Sequence, residues 1–173
     1  MSVSTSKSRS ASSKNRKRSR RHTPEEARRE ILDSAARFLR KRHFRDLTVG
    51  EVMAGTTLSR PAFYQYFTDV HDLILSLLRD IEEIMHQLAS PWLSGEGEPI
   101  AALRESNRGV VETCVKHGPV IRAIVEAAPL DERLEQAWTA FMRRWDDEAE
   151  ARIVAQQLDG LIPPLDARRI ASA

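Results

Sequence analysis

The chain has 173 residues, 41% of them apolar, which is enough to bury a core in one or two domains. A single cysteine excludes an internal disulfide framework, and no apolar run approaches the about 20 residues that cross a membrane. The basic, polar N-terminus lacks the apolar stretch of a secretory signal, so a reducing cytoplasm is the expected compartment. Few glycines, no long β-branched runs and many Ala, Leu, Glu and Arg favour an all-α chain.

The small net charge of +2 hides an uneven distribution. Residues 1–22 hold eight Lys or Arg and no acid; residues 23–68 hold eight basic and six acidic; residues 69–173 hold eleven basic and nineteen acidic. A cationic front and an anionic rear would orient the molecule on a polyanion such as DNA, while a solubilising tail is the plainer use of such charge. Residues 1–22 have almost nothing apolar to offset the entropy of ordering, so this arm is expected to be disordered. It could track phosphates or enter a minor groove, and a nuclear-localisation patch has the same composition.

Thr23-Pro24-Glu25-Glu26 reads as a helix start: cap, Pro at the first position, capping-box Glu. The helix is expected to run to about Arg42, with Ala27, Ile31, Ala35 and Phe38, flanked by Leu32 and Leu39, as its apolar stripe. Arg37, Arg40, Lys41 and Arg42 crowd its C-terminal end, where they also suit the helix dipole.

Phe44 and Leu47 lead into Thr48–Phe67, TVGEVMAGTTLSRPAFYQYF. Thr48 caps a short helix with Glu51 three residues on, and Gly55-Thr56-Thr57 interrupts it. Ser59 then caps a second helix, roughly Arg60 to Tyr66, with Pro61 in its first turn. Ala62, Phe63 and Phe67 point inward, which leaves Arg60, Tyr64, Gln65 and Tyr66 near or on the outside. Helix, tight break and helix with an exposed polar and aromatic face fit both a DNA-reading helix-turn-helix and an ordinary helical hairpin.

Asp69 or Thr68 caps a long helix to about Ser90, with Leu73, Ile74, Leu77, Leu78, Ile81, Ile84, Met85 and Leu88 as its buried stripe. Pro91 to Pro99 reads as a loop, Ile100 to Lys116 as a helix, and Gly118-Pro119 as a break before a short helix, Val120 to Ala128. Asp131 to Leu158 is a further long helix. On it Trp138, Phe141, Met142 and Trp145 stand at i, i+3, i+4 and i+7, one helical face. Such a stripe fits plain core packing. With Cys114, Ile81, Met85 and Trp92 it also fits the wall of an apolar ligand cavity.

From Ala27 to Leu78, EILDSAARFL…F.DLTVGEVM…LSRPAFYQYF…DLILSLL resembles the N-terminal domain of the TetR family of transcriptional repressors, most specifically in LSRPAFYQYF. VVETCVKHGPVIRAIVEAA and LEQAWTAFMRRW resemble the ligand-binding domain of that family's EthR-like subgroup. Behind the basic arm (1–22), the resemblance implies a three-helix DNA-binding domain (23–68, motif 48–67) and a helical effector domain (69–173) joined to it by the long helix. It makes Thr48 a phosphate anchor at a helix N-terminus and places Thr57, Ser59, Arg60, Pro61 and Ala62 around the start of a recognition helix in the major groove. Arg60 could then take a guanine edge or a phosphate. Tyr64 and Tyr66 match positions whose hydroxyls reach phosphates, with Gln65 between them, while Phe63 and Phe67 look structural. Ile81, Met85, Trp92, Cys114, Trp138, Phe141, Met142 and Trp145 would border a site for a small lipophilic effector, because the nearby polar groups are few (Asn107, Thr113, Thr139).

Two departures from the family pattern bear on docking. Thr57 stands where a glycine usually precedes the recognition helix, and Thr68-Asp69-Val70 replaces Pro-Ser-Lys and its phosphate-binding lysine. The sequence also stops in Leu165–Ala173, where two further helices of the family would form the dimer interface. The effector domain is therefore expected to be incomplete, and homodimerisation is in question.

No catalytic constellation is legible, and neither a cofactor nor a metal is expected: Glu83-x-x-His86 occurs once, where a di-iron bundle needs the pair twice. The leading expectation is a repressor of a palindromic operator in double-stranded DNA, released by an apolar effector. The alternative is a truncated interaction protein that coats DNA non-specifically or pairs with a full-length relative.

Overall fold

The computed structural model describes residues 22–172, so the basic arm, all but His22, lies outside the described residues. They form α1 (Pro24–Leu39), α2 (Val49–Ala54), α3 (Arg60–Phe63), α4 (Val70–Ser94), α5 (Pro99–Ala127), α6 (Glu132–Leu158) and α7 (Ala167–Ala171), with 3-10 turns at Phe44–Asp46 and Ala128–Leu130. The fold is all-α, with no strand among the described residues.

Polar caps set most of these starts. At α1 the Glu26 amide donates to Thr23 Oγ1 (3.2 Å) and the Thr23 amide to Glu26 Oε2 (2.9 Å), a reciprocal box that satisfies two orphan donors. At α2 only the Thr48 half forms, from the Glu51 amide at 3.2 Å. Asp69 accepts from the Asp72 amide (2.8 Å) to open α4. Asp131 accepts from the Arg133 amide (3.0 Å) to open α6. The Arg133 guanidinium bonds both Asp131 (2.7 Å) and Asp69 (3.0 Å), which ties the first turn of α6 to the first turn of α4. That hydrogen bond, outweighing desolvation, pulls the Asp131 carboxyl down to about 2.

Several boundaries differ from the sequence expectation. α1 ends at Leu39 rather than near Arg42. The Phe38 carbonyl takes both the Lys41 amide (3.0 Å, the tighter i to i+3 bond) and the Arg42 amide (3.1 Å). Among the described residues no later backbone amide bonds the Leu39 or Arg40 carbonyl to carry the helix on. The chain then turns in time to bury Phe44 and Leu47. Leu39 is fully buried, while Phe38, expected in the stripe, is half-exposed. α3 stops at Phe63; the next residues close as i to i+3 turns (Gln65 to Ala62, Tyr66 to Phe63) that bring Phe67 inward beside Phe63.

Pro91 does not end α4, and Gly118-Pro119 does not break α5. A proline inside a helix forfeits one backbone bond and costs about 3 kcal/mol, but burial just beyond it can offset that. Trp92 is buried after Pro91, and Val120, Ala123 and Ile124 are buried after Pro119. The stop falls instead at Gly95, whose φ of 80° is the left-handed cap that glycine adopts freely. With α4 extended, its buried stripe drifts: Ile84 (36%) and Leu88 (39%) are exposed, and Ala89 and Trp92 are buried in their place.

One core runs continuously from Ile31 and Leu39 on α1 through Phe63, Phe67, α4 and the end of α5 to Leu134 and Phe141 on α6. A smaller one gathers Trp92, Ile153 and Ala167. The chain beyond α6 closes that second core. Gln157 Nε2 donates to the Leu165 carbonyl (2.8 Å), and Arg168 reaches Asp147 (2.6 Å) and Glu150 (3.0 Å) on α6.

Candidate functional site

The α2–α3 turn is closed without any left-handed residue. Among the described residues none but glycine has positive φ, and Gly55 itself sits at −90°. Gly55 is needed for space: a Cβ there would lie 2.2 Å from Ser34 Oγ, which donates to the Val52 carbonyl at 2.6 Å and docks α2 on α1. The rest of the turn is braced by side chains. Arg37 donates to the Gly55 carbonyl (3.0 Å), and Thr56 Oγ1 both donates to the Met53 carbonyl (2.9 Å) and accepts from the Leu58 amide (3.3 Å). The Glu30 carboxylate takes the Thr57 amide (2.5 Å) and the Thr57 hydroxyl (3.2 Å). Thr57 therefore stands in ordinary backbone geometry at the position where the family pattern has a glycine. Glu30→Ala should cost about 1 kcal/mol by removing that half-buried acceptor. Urea denaturation checks it, and an unchanged midpoint would mean that the brace contributes nothing.

Ser59 has the backbone of an N-cap (φ −78°, ψ 151°), but its hydroxyl makes no capping bond. A cap hydroxyl bonds the second or third helical amide. Here the second is Pro61, which has none, and the third, Ala62, donates to the Ser59 carbonyl at 2.9 Å. The expected cap is thus absent, and the hydroxyl is left on an exposed residue.

Of the residues singled out in sequence, Thr48, Thr57, Ser59, Arg60, Pro61, Tyr64 and Gln65 are exposed, and Ala62 and Tyr66 are half-buried. Behind them Phe63 is fully buried, with the Phe67 ring 5.5 Å away and the Tyr64 ring edge-on at 5.4 Å. Arg60 forms no ion pair with any described residue. The arrangement is a polar and aromatic face on a rigid apolar backing, with one unengaged guanidinium at the start of α3.

A second feature lies between α4, α5 and α6. Ile81, Met85, Cys114, Trp138, Phe141, Met142 and Trp145 line one cavity of about 190 Å³, together with Leu78 from the buried stripe of α4 and with Ile121 and Ile124 of α5, which the sequence pattern does not single out. Its walls are almost wholly apolar, and the exposed Cys114 and Met142 stand at its edge. Trp92 is not among them. Because α4 continues through Pro91, Trp92 lies about two turns beyond Met85 and lines a separate cavity of about 360 Å³ with Leu103, Ser106 and Ile153. Trp145 borders both. Of the polar groups considered, Asn107 lines the second cavity; Thr113 is buried and Thr139 exposed, and neither lines the first. Among the described residues no cluster of three or more His, Cys, Asp or Glu is placed to hold a metal, and no helix is long and apolar enough to cross a membrane.

No family model matches the chain. The chain is similar over 151 residues, at 27% identity, to the HTH-type transcriptional regulator EthR of Mycolicibacterium smegmatis, a match covering 85% of this chain and 68% of that protein. The EthR of Mycobacterium tuberculosis is 29% identical over 149 residues, with 83% and 68% covered. Among solved structures, the regulatory protein TetR from Rhodobacter sphaeroides has a TM-score of 0.68 at 20% identity, over 84% of this chain and 81% of that one. At that identity the likeness speaks for the fold.

Proposed function

Since the chain belongs to the TetR family of transcriptional regulators, we propose that it represses transcription by reading a palindromic operator with α3 and lets go when an apolar molecule fills the cleft at Trp138 and Trp145. The division of labour falls near residue 68: α1–α3 read, and the helices from α4 onward sense. The observation that carries the reading is the exposed set Thr48, Ser59, Arg60, Tyr64 and Gln65, held over the buried pair Phe63 and Phe67. Thr48 at the start of α2 puts free amides toward a phosphate, Arg60 can bond a guanine edge with two donors, and Tyr64 and Tyr66 can reach backbone oxygens. The arm adds charge without sequence preference. Two copies would present their α3 helices to successive major grooves, roughly 34–36 Å apart.

The cleft supports an apolar effector, because its lining offers no charged group. At about 190 Å³ it is smaller than most ligand pockets, and a molecule passing Trp145 would reach the second cavity as well. The test begins by selecting duplexes from a random library and titrating salt against affinity for the enriched sequence. Affinity should fall steeply with salt, and Arg60→Ala should lower it about tenfold for the selected duplex while leaving the melting temperature alone. Equal affinity for every duplex would mean that the arm coats DNA and α3 does not read it.

A further inference from the structure

The last two turns of α5 face two ways. On one side Ile121 and Ile124 form part of the cleft wall. On the other, Arg122 and Glu126 hold the segment that joins α1 to α2. Arg122 donates to the Leu39 carbonyl at 3.0 Å, an oxygen in the final turn of α1 that has no helical donor. Glu126 accepts from the Phe44 amide (3.0 Å) and pairs with His43 Nδ1 (2.9 Å). Phe44 opens a 3-10 turn for which the preceding residue supplies no side-chain cap. Residues some 80 positions away thus cap the exit of α1 and the entry toward α2.

Immediately before this two-turn segment stand Gly118 and Pro119, inside a continuous helix. Pro119 has no N–H to give the Val115 carbonyl, so the helix is unlatched on that side and can bend there. A Cβ built on Gly118 would meet no atom within 4 Å, so nothing packs against the joint at that point.

We propose that Arg122 and Glu126 are positioning residues for the reading unit. They fix the angle at which α1 delivers the chain to α2, and the Gly118–Pro119 joint lets a molecule pressing on Ile121 and Ile124 swing them off Leu39 and Phe44. The proposal rests on the effector reading of the cleft. It assigns the route by which occupancy reaches α2 and α3.

Cys114, the only cysteine of the chain, lines the cleft and is exposed, so occupancy can be imposed without knowing the effector. The full chain is labelled with acrylodan, an apolar thiol reagent whose emission reports its surroundings, and amide exchange is followed across residues 39–47. With the label's emission shifted to the blue, exchange at Phe44 should quicken about tenfold and affinity for the selected duplex should fall. Cys114→Ser treated alike should show neither change. Glu126→Gln should exchange fast with or without label. Pro119→Ala should keep the unlabelled duplex affinity and take the label in the cleft, yet show no quickening at Phe44, a loss of coupling that a merely structural role would not produce. Slow exchange at Phe44 in the labelled native chain, with the emission blue, would overturn the proposal and leave the effector reading standing. A label whose emission shows it in water would overturn both.

Discussion

Phe63→Ala will cost about 3–5 kcal/mol of stability, the range for a buried phenylalanine truncated where its surroundings cannot collapse. Phe63 has no exposed surface; it packs against the tilted Phe67 ring in the core that runs on to α4 and meets the exposed Tyr64 ring edge-on. The consequence for α3 exceeds the figure for the whole protein. A four-residue helix has no stability of its own, so α3 holds its shape through this ring and the i to i+3 turns that follow it. Duplex binding should therefore be lost under conditions where α4–α6 remain helical by circular dichroism. Urea denaturation gives the first number; a loss below about 1 kcal/mol would mean that the ring is not what holds α3 in place.

Gly55→Ala should cost about 1–3 kcal/mol by overpacking, and the cost should depend on Ser34. The new Cβ would stand 2.2 Å from Ser34 Oγ but 3.4 Å from Ser34 Cβ. The serine can escape by rotating, and it then forfeits the buried bond to the Val52 carbonyl, so the penalty is that of a lost hydrogen bond more than of a rigid clash. Ser34→Ala removes the same bond by itself. In a double-mutant cycle the pair should therefore be less damaging than the sum of the singles, by about 0.5 kcal/mol or more. Strict additivity would show that Gly55 matters for something other than its distance from Ser34.

The helix starts were legible because a cap is a local event: Thr23, Thr48, Asp69 and Asp131 each lie within three residues of the amide they accept from. The face of α6 carrying Trp138, Phe141, Met142 and Trp145 was legible for a similar reason, since helical spacing alone puts these residues side by side. The two prolines misled. Their local cost favours a stop, while what carries the helices through is burial of Trp92 and of Val120, Ala123 and Ile124 against other elements, which no local window contains. Trp92 lines a different cavity from the other seven residues for the same reason, because its direction depends on α4 running on through Pro91. The missing cap at Ser59 does have a signal in the sequence, since Pro61 offers no amide for the hydroxyl to bond. The Glu30 brace on Thr57, 27 residues away, left no such trace.

All three tryptophans of the chain lie on α4 and α6, whereas its two tyrosines, 64 and 66, close the segment that carries α3. The molecule thus has a separate ultraviolet chromophore in each half, with no dye attached. Heating or urea followed through tryptophan emission, excited where tyrosine does not absorb, reports the surroundings of the three indoles, and tyrosine absorbance reports the segment that carries α3. Coincident curves would make the chain a single cooperative unit, and an earlier tyrosine transition would make the α3 segment the first part to melt.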